Sequence, residues 1–127
     1  MHIEKQHDRI EFMHVLYQLD FYDFHIESLL NLLEFHPLKH RIDEYLKNRE
    51  TIDNIISESL TNYKLNRLSM VDRAILRVAT FEMKCESLPK EIAINEALEL
   101  TKKYSNLDDN KQVKFNNKVL DTISRML

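Results

Sequence analysis

Not one of the 127 residues is glycine, and only two are proline. Glycine is the residue that lets a backbone turn through positive φ or approach a bound group closely. A chain without it has no glycine-rich phosphate loop of the GxGxxG or GxxxxGK kind, which disfavours an ordinary nucleotide-binding enzyme. What remains is rich in Leu, Ile, Lys, Glu and Asn, and alternation of the strand type is scarce. The expectation is an all-α fold of about six to seven helices, in two packed halves covering about 1–63 and 64–127.

The helices follow from apolar spacing. The first is expected from Ile3 to Asp20. Ile10, Met13 and Tyr17 form one stripe, and Phe12, Val15, Leu16 and Leu19 another, so this helix is apolar over a wide arc and belongs at the centre. A second is expected from Phe24 to Glu34, ending before Pro37 because a residue preceding proline resists helical geometry. Pro37–Leu46 reads as a short third helix and Thr51–Asn62 as a fourth. Ser69 is a plausible N-cap with Asp72 in the first turn behind it. The helix that follows draws its core from Val71, Ile75, Leu76, Val78, Ala79 and Met83. Ser69, Arg73, Arg77, Thr80 and Lys84 form a polar strip along it. Pro89 opens the next helix, where its missing N–H is tolerated, and Ala93, Ala97, Leu100 and Tyr104 repeat along one side. SNLDDN is a polar loop, and the last helix runs from Lys114 to Arg125 with Val119, Leu120 and Ile123 inward.

At 43% hydrophobic the chain suits one domain with a real core. Its net charge of −3 gives no global attraction for phosphates, so any nucleic-acid binding needs a local patch. Cys85 is the one cysteine; that excludes a disulfide framework and fits a reducing cytoplasm. No apolar run approaches the ~20 residues of a membrane span, and MHIEKQHDRIEF lacks the apolar stretch of a signal peptide. All six histidines lie within residues 1–40. His36 and His40 have the spacing of a helical metal pair, but Pro37 intervenes and no third ligand is obvious, so no metal or other cofactor is expected. Carboxylates are plentiful without a matching Ser or His nucleophile pattern, and no catalytic site is expected.

Four strings, in order, carry a resemblance: RIEFMHVLYQLD, RLSMVDRAILRVATFEM, LPKEIAINEALELTKKYS and KFNNKVLD. Together they resemble the NusB family of all-helical transcription antitermination factors over nearly the whole chain. The resemblance implies binding to the boxA element of ribosomal RNA leader transcripts. It also implies a partner, the small ribosomal-subunit protein known in this role as NusE, and action on the transcribing RNA polymerase complex, by a monomer or homodimer. The chain departs from the family in four places, one of them a longer loop before Phe115. An arginine-rich start is replaced by residues in which Lys5 and Arg9 are offset by Glu4 and Asp8. Lys118 stands where the family has glycine, and Asn116 where it has a hydrophobe.

Phe115 has two readings. Val119 and Ile123 lie four and eight residues on, which would make it core; the family position belongs to the RNA surface, where the ring would stack on an unpaired base. The second is favoured, with Lys114 and Lys118 beside it for phosphates and Asn116 and Asn117 for base edges. Arg73 and Arg77 read by default as a solvated helix face, but the family carries an RNA-contacting arginine at the position of Arg77. Lys5 and Arg9 complete the expected RNA set. Tyr17 and Glu82 read by default as a core tyrosine and a surface acid. The resemblance places them on the face that docks the ribosomal protein. Asn95, Glu96 and Glu99 are expected to support their helix, with Glu99 pairing with Lys103.

The leading functional expectation is an RNA-binding antitermination adaptor. The alternative is a helical protein–protein scaffold of the same fold with little RNA affinity, which the neutral N-terminus favours. A third, a targeting domain for a ribosomal RNA methyltransferase, lacks a methyl-donor site in this chain.

Overall fold

The computed structural model describes residues 2–22, 26–106 and 109–127. It is all-helical, with no strand among the described residues. The order is α1 (His2–Phe21), α2 (Ile26–Leu32), α3 (Lys39–Ser59), a 3-10 turn (Leu65–Arg67), α4 (Met70–Lys84), α5 (Lys90–Tyr104) and α6 (Lys111–Met126). The expected start of the second helix at Phe24, and Leu107 and Asp108 of the SNLDDN loop, lie outside the described residues.

The wide apolar arc of α1 is buried as its pattern requires. Phe12, Met13, Val15, Leu16 and Leu19 are all core, while Ile10 and Tyr17 pack partly against it. Phe12 meets Phe81 of α4 and Tyr45 of α3 edge-on, at centroid distances of 5.2 and 6.2 Å. Such aromatic pairs add about 0.5–1.5 kcal/mol each beyond the area they bury. Tyr45 is so enclosed that burial pushes its hydroxyl up to about 12.

The expected third and fourth helices are one. α3 runs unbroken through Lys47, Asn48, Arg49 and Glu50, a stretch with neither proline nor glycine to stop it. Asn48, a residue that often leaves a helix, turns its amide back onto the Glu44 carbonyl at 2.8 Å and stays within the spiral. The last helix likewise starts earlier than its apolar pattern suggests, at Lys111, after Asn110 at φ 69°.

α4 occupies the middle, packed against α1, α3, α5 and α6. Its start is the expected cap, with Ser69 Oγ accepting the Asp72 N–H at 3.1 Å. Its end closes with Leu88 N–H donating to the Glu82 carbonyl at 2.9 Å, through Ser87 at φ 52°, a helix stop that a glycine usually makes. Because helices cover it on several sides, the polar strip along α4 is not the solvated face its spacing suggests. Arg77 and Thr80 are buried, Arg73 is half-buried, and only the two ends of the strip, Ser69 and Lys84, are exposed.

Candidate functional site

Three polar constellations surround α4. The first joins α1, α3, α4 and α5. Arg9 grips Glu82 with two nitrogens, Nε at 3.1 Å from Oε1 and one Nη at 2.8 Å from Oε2, and its other Nη lies 3.5 Å from Glu96. Arg41 stands 3.8 Å from the same Glu82 carboxylate, pairs with Glu86 at 2.6 Å, and lays its guanidinium 4.4 Å over the Phe12 ring. Arg9 is 8% exposed and Glu82 4%. Burial raises the Glu82 carboxyl above its ordinary range, against the opposing pull of Arg9 and Arg41. Two expectations are corrected. Glu82 is not a surface acid, and Arg9 is not an exposed cation; each is consumed by the other.

The second constellation holds Arg77. Its Nε and one Nη reach the two oxygens of Asp53 at 2.9 and 3.1 Å, and the remaining Nη reaches Asp20 at 3.1 Å. Arg73 shares Asp20 at 2.9 Å and donates to the Asn66 carbonyl. Burial by itself would lower the Arg77 guanidinium; the hydrogen bond to Asp53 and the surrounding negative charge outweigh it and leave it raised. Arg73 and Arg77 therefore stitch α4 to α1 and α3, rather than standing out for phosphates.

The third is a network of hydroxyls and amides around one carboxylate at the start of α4. Asp72, buried, accepts from Ser69 Oγ and Ser105 Oγ at 2.7 Å each and from Asn116 Nδ2 at 3.2 Å. Asn116 is fully buried; its amide also donates to Thr101 and accepts from Gln112, at 3.1 Å in both cases. The expectation that Asn116 reads base edges is corrected. Its side chain ties α6 to α4 and α5 by bonding the buried Asp72 carboxylate and Thr101.

The rest of KFNNK is open. Lys114, Asn117 and Lys118 are exposed, and neither lysine forms an ion pair among the described residues. Phe115 falls between its two readings. It is half-buried, packed partly on the core, and its ring meets Tyr63 edge-on at 5.5 Å. With Lys118 it lines a groove of about 310 Å³ between α6 and the end of α3. Lys5 is exposed on α1, beside the Arg9–Glu82 pair.

On the other side, Tyr17 stacks on Phe21 and lines two adjoining grooves, one with Met13, Val71 and Tyr104, the other with Phe21 and Tyr22. Phe21 is 58% exposed. The sequence reading named Tyr17 but passed over Phe21, Tyr22 and Tyr63. Their signal was available, since each is an aromatic at or just past the end of a helix. One smaller expectation also changes. Glu99 pairs with Lys102 at 3.4 Å, while Lys103 lies over the Tyr104 ring. His36 accepts from the Leu38 N–H and faces Glu11 at 3.5 Å.

The family model described as the NusB family matches residues 7–125. The chain belongs to the NusB family. The Bacillus subtilis transcription antitermination protein NusB is 37% identical to it over 120 residues, covering 87% of each protein. The Clostridium botulinum protein of the same name is 44% identical over 98 residues, 76% of this chain and 71% of that protein. Matches to other Clostridium relatives span about half of those proteins. Among solved structures, T. maritima NusB aligns with a TM-score of 0.77 at 34% identity, over 94% of this chain and 89% of that one. The central α4 with its capped start is therefore set in a NusB fold, and no described helix of this NusB-family chain is long and apolar enough to cross a membrane.

Proposed function

We propose that this chain is an RNA-binding transcription antitermination factor. It binds boxA RNA of ribosomal leader transcripts together with the ribosomal protein NusE and acts on the transcribing polymerase complex. The observation that carries the RNA part is the contrast within the expected set. Arg9, Arg73 and Arg77 are neutralised by carboxylates, whereas Lys114 and Lys118 stand exposed and Lys118 lines an aromatic groove. Lysines hold phosphates as point charges, and a flat ring accepts any base. Asn117, exposed in the same turn, is the amide free to reach a base edge. Lys5 is too far along α1 in the chain's sequence to be assigned to this groove, and it serves at most as an additional phosphate contact.

For the ribosomal protein the supporting feature is the aromatic face of Tyr17, Phe21 and Tyr22. Glu82, buried against Arg9 and Arg41, holds α1, α3 and α4 together rather than meeting the partner directly. The same face supports the second reading, a scaffold with little RNA affinity, since it does not depend on any cation.

Titration with boxA RNA, with and without the ribosomal protein, tests the two readings. With two free lysines neutralising phosphates, the slope of log affinity against log salt is expected to be about 1–2 for a single strand. Affinity is expected to rise when the partner is present. Binding of the ribosomal protein with no RNA binding under either condition would leave the scaffold.

A further inference from the structure

We infer that Tyr63 is the base-stacking platform of the RNA face, with Phe115 as the ring that holds it. This rests on the RNA reading proposed above and adds to it a residue that lies outside KFNNK. Phe115 is half-buried and packed against the core, so most of its surface is committed inward. Tyr63 is 58% exposed and lies in the segment between α3 and the 3-10 turn. The two rings meet at 85° with centroids 5.5 Å apart. In that arrangement the edge of one ring rests on the face of the other, an attractive geometry for aromatic quadrupoles. It anchors Tyr63 from one side while leaving ring surface open to solvent.

The surroundings fit single-stranded nucleic acid better than an apolar peptide. Lys118 lines the groove with the two rings, and Lys64, exposed, follows Tyr63 directly. Thr61, Asn62 and Thr122 supply short hydrogen-bonding groups, and Glu58 is the one carboxylate among the lining residues. An open ring beside lysines and small polar groups is the makeup of a platform that stacks a base while cations hold its phosphates. Lys118, where the family has glycine, adds a charge to this groove.

The test uses the full chain with the ribosomal protein and the boxA oligonucleotide, and three variants. Tyr63→Ala is expected to weaken RNA binding about 5- to 150-fold, the equivalent of one lost base stack, with the salt slope unchanged. Tyr63→Phe is expected to bind within about twofold of the parent. The chain has no tryptophan, so Tyr63→Trp places a single indole in the groove, and its fluorescence is expected to be quenched as RNA is added. Parental affinity in Tyr63→Ala, or an indole unquenched at saturating RNA, overturns the assignment while the RNA reading stands. If Tyr63→Ala does not fold, the quenching and the phenylalanine variant decide. Loss of ribosomal-protein binding with RNA binding intact assigns the ring to a protein contact and overturns the proposal. If the parent binds no RNA even with the ribosomal protein, the RNA reading falls and this inference falls with it.

Discussion

The two cationic regions of this molecule differ in what their charges are doing. Along α4, and from α1 toward it, Arg9, Arg73 and Arg77 each meet carboxylates at 3.1 Å or less, and Arg9 and Arg77 are buried. At the start of α6, Lys114 and Lys118 project into solvent with no such partner among the described residues. The arginines are fork-shaped and hold acids by two nitrogens, which suits them to the interior. The lysines are flexible point charges suited to a mobile polyanion. A cation in the sequence is therefore not a cation available for phosphate, and the chain's capacity for RNA is smaller than its basic residues suggest.

The sharpest way to break this comparison is to remove a buried acid. Glu82→Ala leaves Arg9 enclosed with only the more distant Glu96, and is expected to cost about 3–5 kcal/mol of folding stability, the usual result of breaking a buried pair. Glu82→Lys adds repulsion from Arg9 and Arg41 and is expected to be worse, so the charge reversal is no clean probe of partner docking. Urea unfolding of both variants checks this. A loss below about 1 kcal/mol would mean that the cluster is solvated and its arginines are free.

Arg77→Ala is expected to lose less, about 1.5–3 kcal/mol, because Asp53 keeps 28% of its side chain exposed and can rehydrate. Its RNA affinity, measured where the variant is fully folded, is expected to stay near the parental value. A tenfold fall in affinity without loss of stability would move Arg77 to the RNA face. Asn116→Ala is expected to cost about 1–3 kcal/mol by withdrawing a donor from buried Asp72. Phe115→Ala, which removes a half-buried ring, is expected to cost roughly 1–2 kcal/mol, and to weaken RNA binding by withdrawing the support of Tyr63.

How much of this was legible in the sequence follows the range of the interactions. The Ser69 cap, the burial of α1 and the inward row of α6 are set by neighbours within a turn or two, and spacing alone exposes them. The joined α3 is hard to see from the sequence because apolar residues lapse over Lys47–Glu50, although nothing there stops a helix. The site was harder. Arg9 and Glu82 are 73 positions apart, and Asp72 and Asn116 are 44. No local pattern distinguishes an arginine with a distant acid waiting from one that faces water. The family resemblance pointed to Lys114–Lys118, where Lys114, Asn117 and Lys118 do stand exposed, but could not say that Asn116 turns inward.

The pH dependence of stability gives a subtler reading of the same contrast. Glu82 has its folded-state carboxyl raised above the ordinary 4.5 by burial. In the window between 4.5 and that raised value, the folded chain holds a proton that the unfolded chain has released. Stability from this group is thus full below 4.5 and declines as pH rises through the window, opposite to a carboxylate whose pairing depresses it. Unfolding of Glu82→Gln against the parent isolates the term: the difference between them is expected to shift in favour of the variant as pH rises from 4 toward neutrality. A difference that moves the other way would mean that Arg9 and Arg41 more than offset the burial.

Lys118→Ala is expected to have the smallest effect on the fold and the cleanest effect on function. Its ammonium is exposed and lines the groove of Phe115 and Tyr63, so its removal opens no cavity and strands no buried charge. Stability is expected to stay within about 0.5 kcal/mol of the parent. If Lys118 neutralises one phosphate, its loss lowers the salt slope by about 0.7 and weakens RNA binding at low salt more than at high. Lys114→Ala should do the same, and the double variant should approach a slope near zero if these two lysines carry the electrostatic part of binding. A residual slope above about 1 in the double variant would show that other cations reach the strand. Lys5 and Lys64, both exposed, would then be the next to remove, and only after them the arginines, whose carboxylates must be given up before a phosphate can take their place.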